Sequence, residues 1–543
     1  MSVAQLHVDG LHVRHAGTAA PALAGLSLAI GAGEVLAVVG ESGSGKSTLA
    51  QALVGLLPPS ATLSGSLRLR DEEVHAGDRI ALARWRGRRI GLAFQDSLAA
   101  LHPLRTVGDQ LEEVIARHDP SSTRVARREA AHALAADVGL DDPATLLARH
   151  PHRLSGGQRQ RVGIALALAG RPEVLIADEA TSALDPPRAA AIAGLLRRLA
   201  DSGLAVLAIA HDLDRIGAIA DRLIVLRRGE VVETGPAREC LTRPASAYLR
   251  NLLASRPRLG GNPPRLPVVG PDDVLTSPPA PDIADVQAGG EPVLSVRALS
   301  VQHGRVAALA DVSLDLVSGE VLGVVGASGC GKSTLARAIL RLDSAAGGVI
   351  EIRGRNLLAA KGVDLAAQRR CIGLVFQDPA ASLDPRMTAW QAIAEPLVVA
   401  GIRGADRRRQ SAVTLLHEVG LGPELADRRP HELSGGQQQR VAIARALALS
   451  PPILVCDEAV SALDVGVQAG ILNLLRDQCE RRGLAVLFIS HDLAAVRFVA
   501  DRMLVLDGGR VVETGPTADV LSNPRHPASR DLLAATPSPI ESA

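Results

Sequence analysis

The sequence predicts an α/β fold built twice. Chemistry-bearing strings recur in the same order at a spacing of about 280 residues, which marks a duplicated domain and not a solenoid unit. Within each copy, short apolar runs ending in polar residues alternate with segments of helical period. The length of 543 residues also exceeds what one hydrophobic core organises. Each copy is expected to hold a mainly parallel core sheet, an antiparallel β portion at its start and a helical insertion. The first spans residues 1–254 and the second 292–543, with 255–291 between them.

The opening stretches, Leu6 to Ile30 and Leu294 to Leu316, alternate like antiparallel strands. Each copy then has an apolar run ending in VVG, followed by GESGSGKST (Gly40–Thr48) or GASGCGKST (Gly326–Thr334). Both fit G-x-x-x-x-G-K-[ST], a loop whose N–H groups curl inward around phosphate at a helix N-terminus. The cradle would be Gly40, Ser42, Gly43, Ser44, Gly45 and Thr48, matched by Gly326, Ser328, Gly329, Cys330, Gly331 and Thr334. Lys46 and Lys332 would reach the β- and γ-phosphates, and Ser47 and Ser333 would hold Mg²⁺. Helical segments are expected from Leu49 to Leu57 and from Leu335 to Leu342.

Further along, helical period around Val107 to Val138 and Ala389 to Val419 reads as the insertion. LSGGQRQR (Leu154–Arg161) and LSGGQQQR (Leu433–Arg440) each place Ser-Gly-Gly at a helix start, another anion-favouring terminus or an ordinary N-cap. Apolar strands then deliver Asp178-Glu179 and Asp457-Glu458. Paired carboxylates on a buried strand are costly unless they meet cations, as they would beside a Mg-nucleotide. His211 and His491 close the next strand of each copy, at the carboxyl edge where ligands of open α/β sheets sit.

Composition narrows the class. Hydrophobic residues make up 47% and aromatics only 1%, so Ala, Leu, Val and Ile must fill the core. A net charge of +1 implies no global attraction to nucleic acid or anionic lipid. The five scattered cysteines lack C-x-x-C spacing and suggest a reduced compartment without disulfides or zinc. No secretory h-region and no membrane-length apolar run is seen, so a cytosolic chain is expected. The Pro- and Gly-rich residues 255–291 read as a semi-extended linker without regular helix or sheet.

Together these motifs resemble two nucleotide-binding domains of ABC transporters fused in tandem, each a P-loop NTPase core with an antiparallel β subdomain and a helical subdomain. The resemblance implies Walker A loops as quoted and Q-loop glutamines at Gln95 and Gln377, which also approach Mg²⁺. It implies signature residues Ser155, Gly156, Gly157, Gln158 and Ser434, Gly435, Gly436, Gln437. Walker B acids would be Asp178 and Asp457 on Mg²⁺, catalytic glutamates Glu179 and Glu458, and switch histidines His211 and His491. D-loops would run Ser182–Asp185 and Ser461–Asp464. In this family each ATP lies between Walker A of one half and the signature of the other, so Lys46 would share a site with Ser434–Gly436 and Lys332 with Ser155–Gly157. Neither set is degraded, which implies that both sites hydrolyse ATP.

Where the family usually stacks an aromatic on adenine, this chain has His15 and His303. The proline usual after the Walker B glutamate is Ala180 and Ala459. The halves resemble the D-type and F-type ATPases of dipeptide, oligopeptide and nickel importers, including their C-terminal extension. Relatives often carry an iron–sulfur cluster there, but only Cys240 lies near the first extension and none near the second, so no cluster is expected. The resemblance implies two membrane permeases, docking near Gln95–Thr106 and Gln377–Thr388, and an extracytoplasmic binding protein. It places the chain on the cytoplasmic face of the membrane with no nucleic-acid partner. Nickel or another small solute is an alternative cargo, and a ribosome-associated tandem ATPase an alternative class; such proteins favour charged helical linkers and basic charge.

Overall fold

A computed structural model describes residues 4–18, 20–96, 98–182, 184–270, 274–277, 290–304, 306–460 and 463–537. It divides into two compact units, one chiefly Met1–Leu184 with Arg188–Leu253, the other chiefly Ala254–Thr536.

The first unit holds a six-stranded core sheet in the order Glu230–Pro236, Arg222–Arg227, Val35–Val39, Ala205–Ile209, Val174–Asp178, Ile90–Ala93. All neighbours are parallel except the outer hairpin of Arg222–Arg227 with Glu230–Pro236. The second unit repeats this with Ile372–Val375, Ile453–Asp457, Ala485–Ile489, Val321–Val325, Arg502–Asp507 and Arg510–Pro516. Parallel strands covered on both faces read as continuous apolar runs, and Val35–Val39 and Val321–Val325 are buried at every position. In the second unit, Leu322, Val324, Val455 and Leu487 face the Walker A helix, whereas Val321, Val325, Leu454 and Val486 face the helical layer. This period-two division places two cores on one sheet.

The expected antiparallel portions form four-stranded sheets. In the first unit the order is Leu23–Gly31, Ala4–Arg14, Thr62–Leu69, Glu72–His75, and in the second Val306–Leu316, Leu294–His303, Ala345–Ile352, Arg355–Asn356. The insertion is a helix pair in each unit, Val107–His118 with Arg124–Asp137 and Ala389–Val399 with Ala405–Glu418. Aliphatic side chains dominate both cores as composition requires, with Trp85 and Phe488 the largest buried exceptions.

Two expectations need correction. The Walker A helices run Lys46–Leu53 and Lys332–Ile339, starting at the lysine and stopping earlier than the apolar pattern suggests. Gly45 and Gly331 cap them at φ 108° and 110°, and left-handed Gly55 (φ 64°) and Arg341 (φ 53°) follow their ends. The linker also contains regular structure: Val268–Val269 pairs antiparallel with Leu275–Thr276. Just before it, Arg265 and Leu266 are 6% and 0% exposed on helix Val465–Arg482. Arg265 bonds Asp477 (2.9 Å) and Glu480, while Leu266 exchanges two backbone-to-amide hydrogen bonds with Asn473 at 2.9 and 2.8 Å. Proline and glycine break helix here, but they do not prevent the chain from docking where its remaining side chains find partners.

Candidate active site

Each Walker A loop is shaped by glycines that no other residue could replace. A Cβ on Gly40 would lie 2.1 Å from the Leu226 carbonyl oxygen, and one on Gly326 would lie 2.2 Å from that of Leu506. One on Gly45 would come within 2.5 Å of the Ala22 oxygen, with φ already at 108°. The curled loop turns its carbonyls onto its own lysine. Lys46 Nζ donates to Gly40 O (2.6 Å) and Glu41 O (2.9 Å), and Lys332 Nζ to Gly326 O (2.8 Å) and Ala327 O (3.1 Å). Both lysines are buried, at 5% and 6% exposure.

Opposite lies the carboxyl end of the strand that carries the paired acids. Ser47 Oγ is 3.5 Å from Asp178 Oδ1, and Ser333 Oγ donates to Asp457 Oδ1 at 3.2 Å. Burial, with Glu179 adding to it, pushes Asp178 up to about 6; burial also raises Asp457. These buried carboxyls want a cation. A Ser hydroxyl, an Asp carboxylate and the nearby Gln amide are hard oxygen donors suited to Mg²⁺, which takes few protein ligands beside nucleotide phosphates. The buried Ser44 Oγ, without a hydrogen-bond partner inside the first loop, also fits a polar guest.

The adjoining glutamates are tuned the other way. Glu179 and Glu458 stand at φ 48° and 52°, turned out of the strand, with N–H groups donating to Ile209 O (3.0 Å) and Ile489 O (2.9 Å). Gln95 Nε2 donates to Glu179 Oε2 at 2.7 Å, and Gln377 Nε2 to Glu458 Oε2 at 2.8 Å. His211 Nδ1 stands 3.7 Å from Glu179, and His491 Nδ1 3.6 Å from Glu458. Burial acts to raise both glutamates, but the histidine and then the lysine of each site outweigh it, and both pKa values are lowered. Adjacent carboxyls pushed in opposite directions are a mark of divided acid–base roles.

The signature helices Gly156–Leu168 and Gly435–Leu447 begin in capping boxes. Ser155 Oγ accepts the Gln158 N–H (3.3 Å) while Gln158 Oε1 accepts the Ser155 N–H (2.9 Å), and Ser434 with Gln437 repeats both distances. The serines and glutamines thus shape the helix start. The last signature arginine ties that helix to the insertion, Arg161 to Gly139 O and Arg440 to Val419 O (2.6 Å).

The structure therefore brings together Lys46, Ser47, Gln95, Asp178, Glu179 and His211 in one unit, and Lys332, Ser333, Gln377, Asp457, Glu458 and His491 in the other. It does not join the histidines expected at adenine to these clusters. His15 receives Thr18 through its carbonyl (2.8 Å), and His303 Nε2 faces Asp343 at 3.5 Å beside Arg337. Of the D-loops, Ala183, Ser461 and Ala462 lie outside the described residues. Ser182 donates to Glu179 Oε2 at 3.2 Å and lies 3.3 Å from His211 Nδ1, a bridging position its motif does not reveal. Tyr248, which accepts the Glu41 N–H at 3.2 Å, lies in the stretch that resembles the C-terminal extension of peptide-importer ATPases, a likeness that does not reveal this contact.

A duplicated P-loop core with Walker A, Walker B, Q-loop and signature elements defines an ABC-type ATPase. The chain belongs to the ABC transporter family, which matches residues 23–182 and 309–461, and it binds and hydrolyses ATP as members of that family do. Residues 512–543 match the C-terminal region of oligopeptide/dipeptide transporters. Among curated proteins it is 42% identical to the glutathione import ATP-binding protein GsiA of Salmonella choleraesuis, over 98% of this chain and 89% of that one. It is 43% identical to GsiA of Escherichia coli O157:H7, over 95% and 86%. A solved ribosome-bound archaeal complex of Pelota and ABCE1 shares the fold at TM-score 0.61 and 22% identity, covering 93% of this chain and 78% of that one. That likeness concerns fold alone.

Proposed function

We propose that the chain energises an ABC importer for short peptides, with glutathione within its cargo class. The likeness to glutathione import ATP-binding proteins over 95% or more of the chain carries this reading, because it spans both ATPase halves and the segment between them. The Pro-rich linker and net charge of +1 favour it over a ribosome-bound role.

In this reading each ATP is held by the Walker A loop of one half and the signature of the other, with His15 and His303 against adenine. Mg²⁺, held by Ser47, Asp178 and Gln95 or by Ser333, Asp457 and Gln377, supplies charge neutralisation at the β- and γ-phosphates. Lys46 and Lys332 transfer their ammonium protons' hydrogen bonds from loop carbonyls to phosphate oxygens. Glu179 and Glu458, kept ionised, orient the attacking water and accept its proton; His211 and His491 hold those carboxylates in place. Both sites turn over, and loss of γ-phosphate releases the halves, a ligand-driven order change.

The partners are two permeases and an extracytoplasmic binding protein, which place the chain on the cytoplasmic face of the membrane. Among the described residues no helix is long and apolar enough to cross a membrane. A groove of about 520 Å³ beside the second Q-loop, lined by Gly373, Phe376, Glu395, Pro396, Val399 and Arg445, suits a cytoplasmic permease helix. Phe376 and Val399 are 45% and 74% exposed there, an apolar display that a partner would cover. Purification from native membranes in mild detergent tests the reading. Co-purification of a permease pair, with ATP-dependent uptake of glutathione or a dipeptide in vesicles, is expected. Recovery of ribosomes without permeases would overturn it.

A further inference from the structure

Among the described residues, the first Walker A loop has a support that the second lacks. The peptide between Gly40 and Glu41 presents its carbonyl to the Lys46 ammonium at 2.6 Å and its N–H to the phenol oxygen of Tyr248 at 3.2 Å. In a trans peptide these groups point in opposite directions, so lysine and tyrosine hold one rigid plane from both ends. Tyr248 lies in helix Ala247–Ala254, 3% exposed, with the Arg227 guanidinium 5.2 Å from its ring centroid. Arg227 ends the strand whose Leu226 carbonyl closes over Gly40. Ring, arginine and loop therefore form one packed group.

In the second unit the corresponding helix is Pro527–Ala534, and its second residue is Ala528 where the first has Tyr248. The strand Arg502–Asp507 ends in Asp507 where the first has Arg227. The Gly326 carbonyl still receives Lys332 at 2.8 Å, but alanine has no hydroxyl to offer the Ala327 N–H. Charge differs as well: burial raises the Cys330 thiol and Asp507 adds to the rise, whereas an arginine stands at the matching place in the first unit.

We propose that Tyr248 is a positioning residue of the first ATP site alone, fixing the Gly40–Glu41 peptide so that the loop and Lys46 are pre-set for the nucleotide phosphates. A loop ordered beforehand loses less freedom on binding, and the difference appears as affinity. The inference rests on reading Gly40–Thr48 as the phosphate site.

The test uses the full-length chain, photolabelled with 8-azido-ATP and Mg²⁺ over a concentration series, with labelled peptides of each half quantified by mass spectrometry. Tyr248→Phe keeps the ring and removes only the hydroxyl. Half-saturation of the first half is expected to rise about three- to tenfold, the range of one neutral hydrogen bond. The second half and the thermal unfolding midpoint should stay unchanged. Lys46→Ala, run in parallel, should abolish first-half labelling. A Tyr248→Phe shift below about twofold, too small for a lost hydrogen bond, overturns the role of Tyr248, as does a rise shared equally by both halves. Persistent first-half labelling in Lys46→Ala overturns the phosphate-site reading instead.

Discussion

Asp178 and Glu179 are neighbours, yet burial drives the first toward its neutral form, while His211 and Lys46 outweigh burial at the second and hold it ionised. A carboxyl with a raised folded-state pKa adds stability that is complete below its ordinary value of 3.8 and is lost as pH rises through about 6. Asp178→Asn should therefore raise the unfolding midpoint of the nucleotide-free chain at pH 7.5 by about 2–4 °C, a gain on the scale of 1 kcal/mol, and by less at pH 4.5. Scanning calorimetry at both pH values checks this; an equal gain at both would contradict the assignment. The ionised glutamates yield a second expectation. If these glutamates are the general bases proposed above, the double variant Glu179→Gln, Glu458→Gln should retain ATP binding and lose about 100-fold or more in turnover. Phosphate release measured beside equilibrium ATP binding distinguishes this from a folding defect. The sequence displayed these residues, but not that Ser182 bridges Glu179 and His211, because a serine's partners are not encoded by its spacing.

At the scale of elements, the Walker A loop and the docked linker depend on close approach in different ways. Gly45→Ala would force a Cβ to 2.5 Å from the Ala22 oxygen at φ 108°. It should abolish nucleotide binding in the first half while the second half still binds, measured by site-resolved photolabelling. Arg265 is nearly buried and meets two carboxylates on helix Val465–Arg482. Its truncation removes the guanidinium shared by Asp477 and Glu480 and leaves Arg476 at 3.5 Å from Glu480, a loss of about 1–3 kcal/mol for a partly buried pair. Arg265→Ala should thus lower the midpoint of the second unit and speed proteolytic cleavage between residues 255 and 277, and limited proteolysis reads the latter directly. The linker's composition pointed to a semi-extended segment without regular helix or sheet; the ion pairs and the Asn473 bonds that dock it involve residues about 200 positions away, beyond the reach of local pattern.

For the whole molecule, the exposed apolar side chains beside the second Q-loop set the expectation. Val399 is 74% exposed at the end of helix Ala389–Val399, which lines the groove. Val399→Asp should reduce recovery of permeases with the chain by about tenfold, the effect of burying one unpaired charge at an interface, while basal ATP hydrolysis stays at the wild-type level. Quantitative co-purification and a detergent-phase ATPase assay make the comparison. Unchanged recovery would remove this groove as a docking surface.

The duplicated α/β fold, its family and the motif strings themselves were legible in the sequence alone. Phosphate cradles, strand-end acids and buried parallel strands are short-range features, written in glycine spacing and apolar runs that physical chemistry reads locally. Only the tertiary structure decided where the Walker A helices start, how the linker docks and which groups tune each acid. It alone brought Tyr248 to the peptide of Glu41, 207 residues away. Those outcomes depend on which distant backbone comes within hydrogen-bonding or van der Waals distance, and such meetings leave no periodic trace in the chain.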